Sequence, residues 1–548
     1  MANEEFIILN GVLFGYKGLE RKVVIPDGVT CIGEFAFANC IFDPTHITIP
    51  NSVTSISDHA FENCSRLTKI TLPNSITDIG YSAFSGCESL TDITITEGVT
   101  SIGECMFENC SHLANVTIPN SVTSIGKKAF INCKRLANIN IPNSVISIGE
   151  GAFRFCESLT DITIPNSVTS ISDDTFSYCR HLTNVTILNG ATSIGNGAFE
   201  GCSSLASISI PNSITSIGKD AFKACGSLTS ISIPNSITSI GDGAFSDCKQ
   251  LTNITIPTSV TKISSLILSG CDSLQSITLD ENNPNYKSID GNLYTNDSKT
   301  LILYAKGKTA TEFAIPDSVT SIGDGAFSDC RELTNISIPN SVMSIGRDAF
   351  GCCASLTNIT IPSGVTSISD YAFSSCFTLK SLNIPDGITS IGDGAFTFCH
   401  KLENVYIPDT VTSIGKSAFQ SCGSLSSISI PDSVTSISDM AFWQCSSLTY
   451  VSIPNGVTSI GELAFNECTS LTSVTIGNGV TSISRDAFGC CKNLERVYYK
   501  GTANDWKNIA IGPSNAKLKN AKRFYYSETE PVKKGNYWHY LDGEPTIW

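Results

Sequence analysis

Charge is scarce in this chain and leans one way: 16% of residues are charged, with 35 Lys and Arg against 50 Asp and Glu, a formal net charge of -15. No long basic stripe offsets that balance, so the attraction to a phosphate backbone that nucleic-acid binders share is missing, and nucleic acid is excluded as an expected partner. Long apolar runs are absent too, and none approaches the roughly 18 residues of a membrane span. The opening Met-Ala-Asn-Glu-Glu-Phe has neither the positive patch nor the apolar stretch of a secretory leader. That start is expected of a cytoplasmic protein, or of one whose leader has been removed. Also missing are a phosphate-binding glycine loop, a nucleophile elbow, a distinctive carboxylate pair and any Cys/His spacing suited to a metal. The histidines His46, His59, His112, His181, His400 and His539 occupy different repeat positions and share no site. No cofactor is expected, and an enzyme is the least favoured reading.

What is abundant is apolar residues, 41% of the chain, accompanied by Ser, Thr, Asn and Gly. That mixture buries a large core under a polar but weakly charged surface. It is also periodic. One unit reads Leu228-Thr-Ser-Ile231-Ser-Ile233-Pro234-Asn-Ser-Ile237-Thr-Ser-Ile240-Gly241-Asp-Gly-Ala244-Phe245-Ser-Asp-Cys248. Its anchor phenylalanine recurs every 23 residues from Phe61 to Phe245, is replaced by Leu268, and resumes from Phe327 to Phe488. A piece this short cannot bury its own apolar face, so the units must stack on one another as a solenoid.

Within a unit, the alternation at Ile231 and Ile233 predicts a strand. Pro-Asn-Ser turns the chain, Ile237 to Ile240 predicts a second short strand, and Gly241 suits a tight corner. The i, i+3 spacing of Phe245 and Cys248 predicts one turn of α- or 3₁₀-helix. Phe199, Phe245, Cys248, Phe327 and Cys330 are picked out as structural core residues. Nineteen of the 23 cysteines, from Cys40 to Cys491, sit three residues after the anchor among apolar neighbours. They read as small buried hydrophobes with free thiols, because stacked coils run their Cβ vectors parallel instead of facing one another.

The pattern L-x-x-I-x-I-P-x-x-V-x-x-I-G-x-x-A-F-x-x-C resembles the BspA-type leucine-rich repeat family of bacterial, treponemal and trichomonad surface proteins, over about residues 22 to 497. The resemblance implies a right-handed, curved leucine-rich-repeat superhelix of about 20 coils, with parallel strands, short second strands and 3₁₀ or α turns. It also implies a secreted or cell-surface setting and adhesion to proteins or glycans on host or microbial surfaces, without catalytic residues to carry over.

Five segments are expected. Residues 1–27 form a capping hairpin around Asn10-Gly11, and 28–280 a first block of repeats. Residues 281–314 form an inserted hairpin around Asp290-Gly291, through which the solenoid continues with a decorated or kinked coil. A second block spans 315–494, and 495–548 form an aromatic cap, with a short helix at Ala503 to Ile509 and strands at Phe524 to Tyr526 and Tyr537 to Tyr540. Lys517, Lys519, Lys522 and Arg523 make that cap locally basic and read first as a solvated face.

The strand positions between inward residues line one face. They are mostly small and polar: Thr183, Asn184 and Thr186, then Thr252, Asn253 and Thr255, then Thr334, Asn335 and Ser337. Such a face predicts a ladder of hydroxyls and amides free to bond an extended partner. Glu403, Tyr406, Tyr450, Glu495, Arg496 and Tyr498 break its uniformity, and Tyr and Arg are favoured at interface hot spots. Together with Trp538 and Tyr540 they are the candidate binding residues of a non-catalytic, monomeric binding protein. The rival from another class is a structural spacer or intracellular scaffold with no ligand of its own.

Overall fold

The computed structural model describes residues 5–39, 44–532 and 535–548. The chain divides into two compact units, 1–287 and 288–548. Each is a β-solenoid with a coil of about 23 residues, about 22 turns in the two together, and with almost no helix. Cys40 lies outside the described residues.

Three lines of backbone bonding join successive coils. The first strands stack in parallel and in register, as where Asp161, Ile162 and Thr163 face Asn184, Val185 and Thr186. The two-residue second strands do the same, with Ser124 and Ile125 beside Ser147 and Ile148. The third line runs through the Ala-Phe segment, where the N–H of Phe130 donates to the carbonyl of Ala152 and that of Phe350 to Ala372, each at 2.8 Å. This third line replaces the helical turn expected after the corner glycine. The residues two before and two after the anchor both adopt left-handed backbone, for example Lys128 (φ 53°) and Asn132 (φ 61°) around Phe130, or Leu463 (φ 58°) and Glu467 (φ 59°) around Phe465. Two reversals of hand within five residues stop a helix and turn the Phe N–H outward along the stack. Among the described residues of the repeats, only Ser265–Leu268, where Leu268 stands in for the anchor, is 3₁₀.

The interior is a column of rings and thiols. Phe176, Phe199 and Phe222 lie parallel with centroids 5.5 and 5.4 Å apart, and Phe199 and Phe245 are fully buried. Phe327 and Phe350 begin the column again in the second unit at 5.2 Å. The anchor-plus-three thiols from Cys64 to Cys271 and from Cys353 to Cys491 donate to a phenylalanine carbonyl of the preceding coil, as Cys248 Sγ does to Phe222 and Cys353 Sγ to Phe327, at 3.2 Å. Cys248 and Cys330 are buried and unpaired. Burial pushes the Cys179 and Cys399 thiols up to about 12. The corner glycine is required by close approach: a Cβ on Gly149 would lie 2.5 Å from the backbone nitrogen of Lys127 one coil earlier.

Both units open with antiparallel strands of which the last stacks in parallel on the first coil. In the first, strands Phe6–Leu9 and Val12–Tyr16 form a hairpin around Asn10 (φ 51°) and Gly11 (φ 80°). The second strand pairs Leu13 in parallel with Ile32, and the Tyr16 ring lies 5.6 Å from Phe37. In the second, Asp290 (φ 50°) and Gly291 (φ 72°) turn the chain between Tyr286–Ile289 and Asn292–Thr295, and a third strand, Thr300–Leu303, runs back antiparallel to the latter; it is this third strand that pairs Leu301 in parallel with Ile322, and Tyr304 lies 5.3 Å from Phe327. The N–H groups of Gly33 and Gly323 even accept the same role, donating to Leu13 and Leu301 at 2.8 Å.

The ends are closed by buried asparagines. Asn283 donates to the carbonyls of Pro257 and Val260. Asn515 accepts from the N–H of Phe488 at 2.8 Å, supplying the bond that a following coil would otherwise give. Before Asn515 in the chain, helix Ala503–Lys507 carries a Thr502/Asp505 capping box and buries Trp506 against Tyr499. Strands Lys522–Tyr526 and Tyr537–Leu541 extend the second unit's sheet, which has twelve strands. No helix among the described residues is long and apolar enough to cross a membrane.

Candidate binding face

Alternation along each first strand sends one set of side chains inward and leaves two rows outward. In the first unit one row begins Lys22, His46, Lys69 and the other with Val24, and from Asp92 and Thr48 onward both are short and polar, with several of their side chains bonded to one another. Asn115 Nδ2 donates to Asp92 Oδ1 at 2.6 Å, and Thr255 and Thr278 share a hydroxyl bond of 2.8 Å. The Asn115 bond, helped by Thr91, holds the Asp92 carboxyl below its ordinary range. Thr183, Thr252 and Thr334 donate to the carbonyls of Thr160, Thr229 and Thr311, at 3.1 to 3.2 Å. The expected open ladder of donors is therefore partly closed on itself, because coils stacked at strand spacing, roughly 4.8 Å, bring each hydroxyl within reach of its neighbour. A shallow concavity of about 780 Å³ on this face is lined by Thr71, Asp92, Thr94, Glu97, Thr117 and Asn140 among others.

In the second unit the rows change character toward the C-terminus. One runs Asn404, Ser427, Tyr450, Ser473, Arg496, Lys522. The other carries Tyr406 beside Asn383 and, from Ser429, runs Ser452, Thr475, Tyr498, Phe524. Tyr406 is 55% exposed, and Tyr450 is half-buried with its hydroxyl 2.9 Å from Thr475 Oγ1. Burial pushes the Tyr450 phenol up. Glu403 and Glu495 are exposed one residue before their strands, outside both rows.

Two of the candidates are not available for contact. Tyr498 and Trp538 are 4% and 0% exposed, packed with Phe524 in a small core of their own on the outer side of the sheet. Trp538 is further fixed by an indole N–H bond to the Tyr499 carbonyl at 3.1 Å. The final hairpin, Tyr537–Leu541 against Glu544–Ile547, provides this cover, so these rings bury the end of the face instead of offering it. Tyr540, on the same side, remains 37% exposed, with Lys500 Nζ 5.3 Å above its ring.

The family model described as BspA type Leucine rich repeat region (6 copies) matches residues 9–137, 123–249, 215–303, 302–423 and 389–517. The chain belongs to the BspA-type leucine-rich repeat family. A leucine-rich repeat protein from Bacteroides ovatus is 27% identical over 75% of this chain and 97% of its own, with a TM-score of 0.46. A leucine rich cell surface protein from Faecalibacterium prausnitzii is 26% identical over 92% of this chain and 95% of its own, at 0.26. The T. pallidum Leucine Rich Repeat protein is 27% identical over 37% and 90%, at 0.30. No curated protein gives a significant match.

This BspA-type chain also carries exposed or half-buried rings, absent from the sequence-based candidates, at turns of the coil. Phe35 stacks on His59 at 4.8 Å, Phe155 on Tyr178 at 5.1 Å with Arg154 above, and Phe377 on His400 at 5.5 Å. The signal was present as aromatics at turn positions that other repeats fill with Asn, Gly, Ser or Asp. Among the described residues no group of His, Cys, Asp and Glu is arranged to hold a metal ion.

Proposed function

We propose that this BspA-type protein is a binding protein, displayed at a cell surface, whose working surface is the outer strand face of the second unit, presented to a protein or glycan. The observation that carries the reading is the change in the two outer rows. Small groups that bond to one another give way to Tyr406, Tyr450 and Arg496, which project from in-register strands on a rigid sheet. Large, amphipathic side chains held by a fixed backbone lose little freedom on binding, which is what makes Tyr and Arg effective at contact surfaces.

The test is capture of partners from host-cell and bacterial surface extracts by the immobilised chain, compared with the triple variant Tyr406→Ala/Tyr450→Ala/Arg496→Ala. Tyr498 stays intact because it is buried. Capture is expected to fall by a factor matching about 2 kcal/mol or more, with thermal unfolding little changed. Undiminished capture by a folded variant removes this face from consideration.

A further inference from the structure

We propose that this chain cross-links itself at the start of the second unit, through an isopeptide bond between the side chains of Lys308 and Asn292 that forms with loss of ammonia. Asn292 is the first residue of strand Asn292–Thr295, directly after the Asp290-Gly291 turn, and Lys308 lies in the loop that follows strand Thr300–Leu303. Both therefore belong to the segment that opens the unit, and neither is part of the binding face.

The groups that an exchange of amides needs are assembled there. Asn292 is fully buried, and its Oδ1 accepts from the Ala305 N–H and from Lys308 Nζ, each at 3.0 Å. Because both neighbours are donors, the oxygen of the amide and not its nitrogen must face them. The Ala305 N–H is then a fixed donor to the oxygen on which negative charge gathers as an amine adds to the amide carbon, the part such N–H groups play in acyl transfer. Cγ lies one bond, roughly 1.2 Å, behind that oxygen, so a small swing of the lysine end brings Nζ onto it. Nδ2, the leaving nitrogen, is a buried donor without a hydrogen bond of good geometry, which native interiors seldom keep without a reason.

The surroundings supply the protons. Lys308 Nζ also donates to the Asp290 carbonyl and lies 5.3 Å from the centre of the buried Tyr304 ring. Burial lowers the pKa of this amine and outweighs the Asp290 carboxylate, which raises it, so the neutral nucleophile is more available than on a solvated lysine. Tyr294 is buried and interacts with Asn292, and burial pushes its phenol up to about 12, which keeps it protonated and able to pass a proton to the departing nitrogen. In the step, Lys308 Nζ bonds to Asn292 Cγ, the Cγ–Nδ2 bond breaks, and Nδ2 leaves as ammonia. The proton that the amine sheds restores the phenol, and nothing is oxidised or reduced.

The stack does not require the pair. In the first unit's opening hairpin the residue after the turn glycine is Val12, which offers no amide to acylate, and its neighbour Leu13 still stacks on Ile32. The bond spans 16 residues and, like a disulfide, removes freedom from the unfolded chain, in a protein whose described thiols are all free. It ties the opening strands together where the second unit's coils begin.

The experiment is intact-mass spectrometry of the full chain, reduced and denatured after incubation in neutral buffer, followed by tandem mass spectrometry of a tryptic digest. The expected result is a mass about 17 Da below that of the sequence, with a branched peptide that joins Asn292 to Lys308 and is not cut after Lys308. Lys308→Arg and Asn292→Ala should restore the full mass, while Lys306→Arg keeps the loss. A full mass for the folded, unaltered chain overturns the proposal. So does a loss of ammonia that maps to a succinimide at an Asn-Gly step such as Asn10-Gly11, or one that persists unchanged in Lys308→Arg. Should the variants fail to fold, the presence or absence of the branched peptide in the unaltered chain decides alone.

Discussion

The two units share an interior and differ on the outside. Phe199 and Phe396 sit in equivalent ring columns, each with neighbours at 5.2 to 5.5 Å, and Cys225 and Cys422 make the same bond to a phenylalanine carbonyl at 3.2 Å. Yet the outer rows of the first unit, after Lys22, His46 and Lys69 at their start, are mainly amides, hydroxyls and carboxylates, several of them bonded to one another, while those of the second end in large rings beside Arg496 and Lys522. The inward positions alone satisfy the stack, so the outward ones are released to vary without cost to the fold. Function is therefore to be sought where the outside departs from the repeat.

The largest way to break the comparison is alkali, because it attacks what both units share. Burial pushes Cys179 and Cys225 in the first unit, and Cys399 and Cys445 in the second, from 9.0 up to about 12. A thiol whose pKa is raised by folding favours the folded state fully below pH 9.0 and loses that contribution as the pH climbs toward about 12. Thermal unfolding followed across that window, alongside thiolate absorbance, should show both units destabilised together, with thiolate appearing only as structure is lost. Ionisation of the buried set in a protein that stays folded would mean the column is not sealed.

Next comes the column itself. Phe199→Ala and Phe396→Ala should each cost about 3 to 5 kcal/mol by calorimetry or denaturant unfolding, since each removes a ring stacked on both sides. Phe488 has an anchor ring on one side only, Phe465 at 5.2 Å, so Phe488→Ala should cost less. A large difference between the two central substitutions would show that the units are not built on one energetic plan.

These shared features were the readable part. The 23-residue period, the inward set and the Asn10-Gly11 and Asp290-Gly291 hairpins follow from spacing and turn chemistry, which act locally. The turn around the anchor was misread because i, i+3 spacing suits a helical turn and a doubly reversed turn alike. The discriminating signal was the Gly, Asn and Asp bias at the flanking positions, diluted by residues such as Lys128, Phe155 and Leu463. Tyr406 and Tyr498 could not be separated by sequence either. They lie in equivalent strand positions, and one is exposed while the other is buried, because Phe524 and Trp538 arrive from a segment that obeys no period. Burial by non-repeating chain is a long-range property that the repeat does not encode.

The smallest test sharpens the comparison by isolating the backbone. Gly151 in the first unit (φ 61°) and Gly325 in the second (φ 62°) occupy the same left-handed position two residues before the anchor, and a Cβ on either would meet nothing closer than 3.6 and 3.8 Å. Gly151→Ala and Gly325→Ala add a methyl without a clash, so the loss of about 1 kcal/mol expected for each is the left-handed backbone alone. The converse substitutions, Lys128→Gly (φ 53°) and Ser417→Gly (φ 53°), relieve the same strain and should stabilise by about 0.5 to 1 kcal/mol, the gain being trimmed by glycine's freedom in the unfolded chain. Melting temperatures of the four variants decide the matter. Opposite signs for the two pairs, equal between units, tie the turn to backbone hand; a stabilised alanine variant or a destabilised glycine variant would show that side-chain contacts at this position outweigh it.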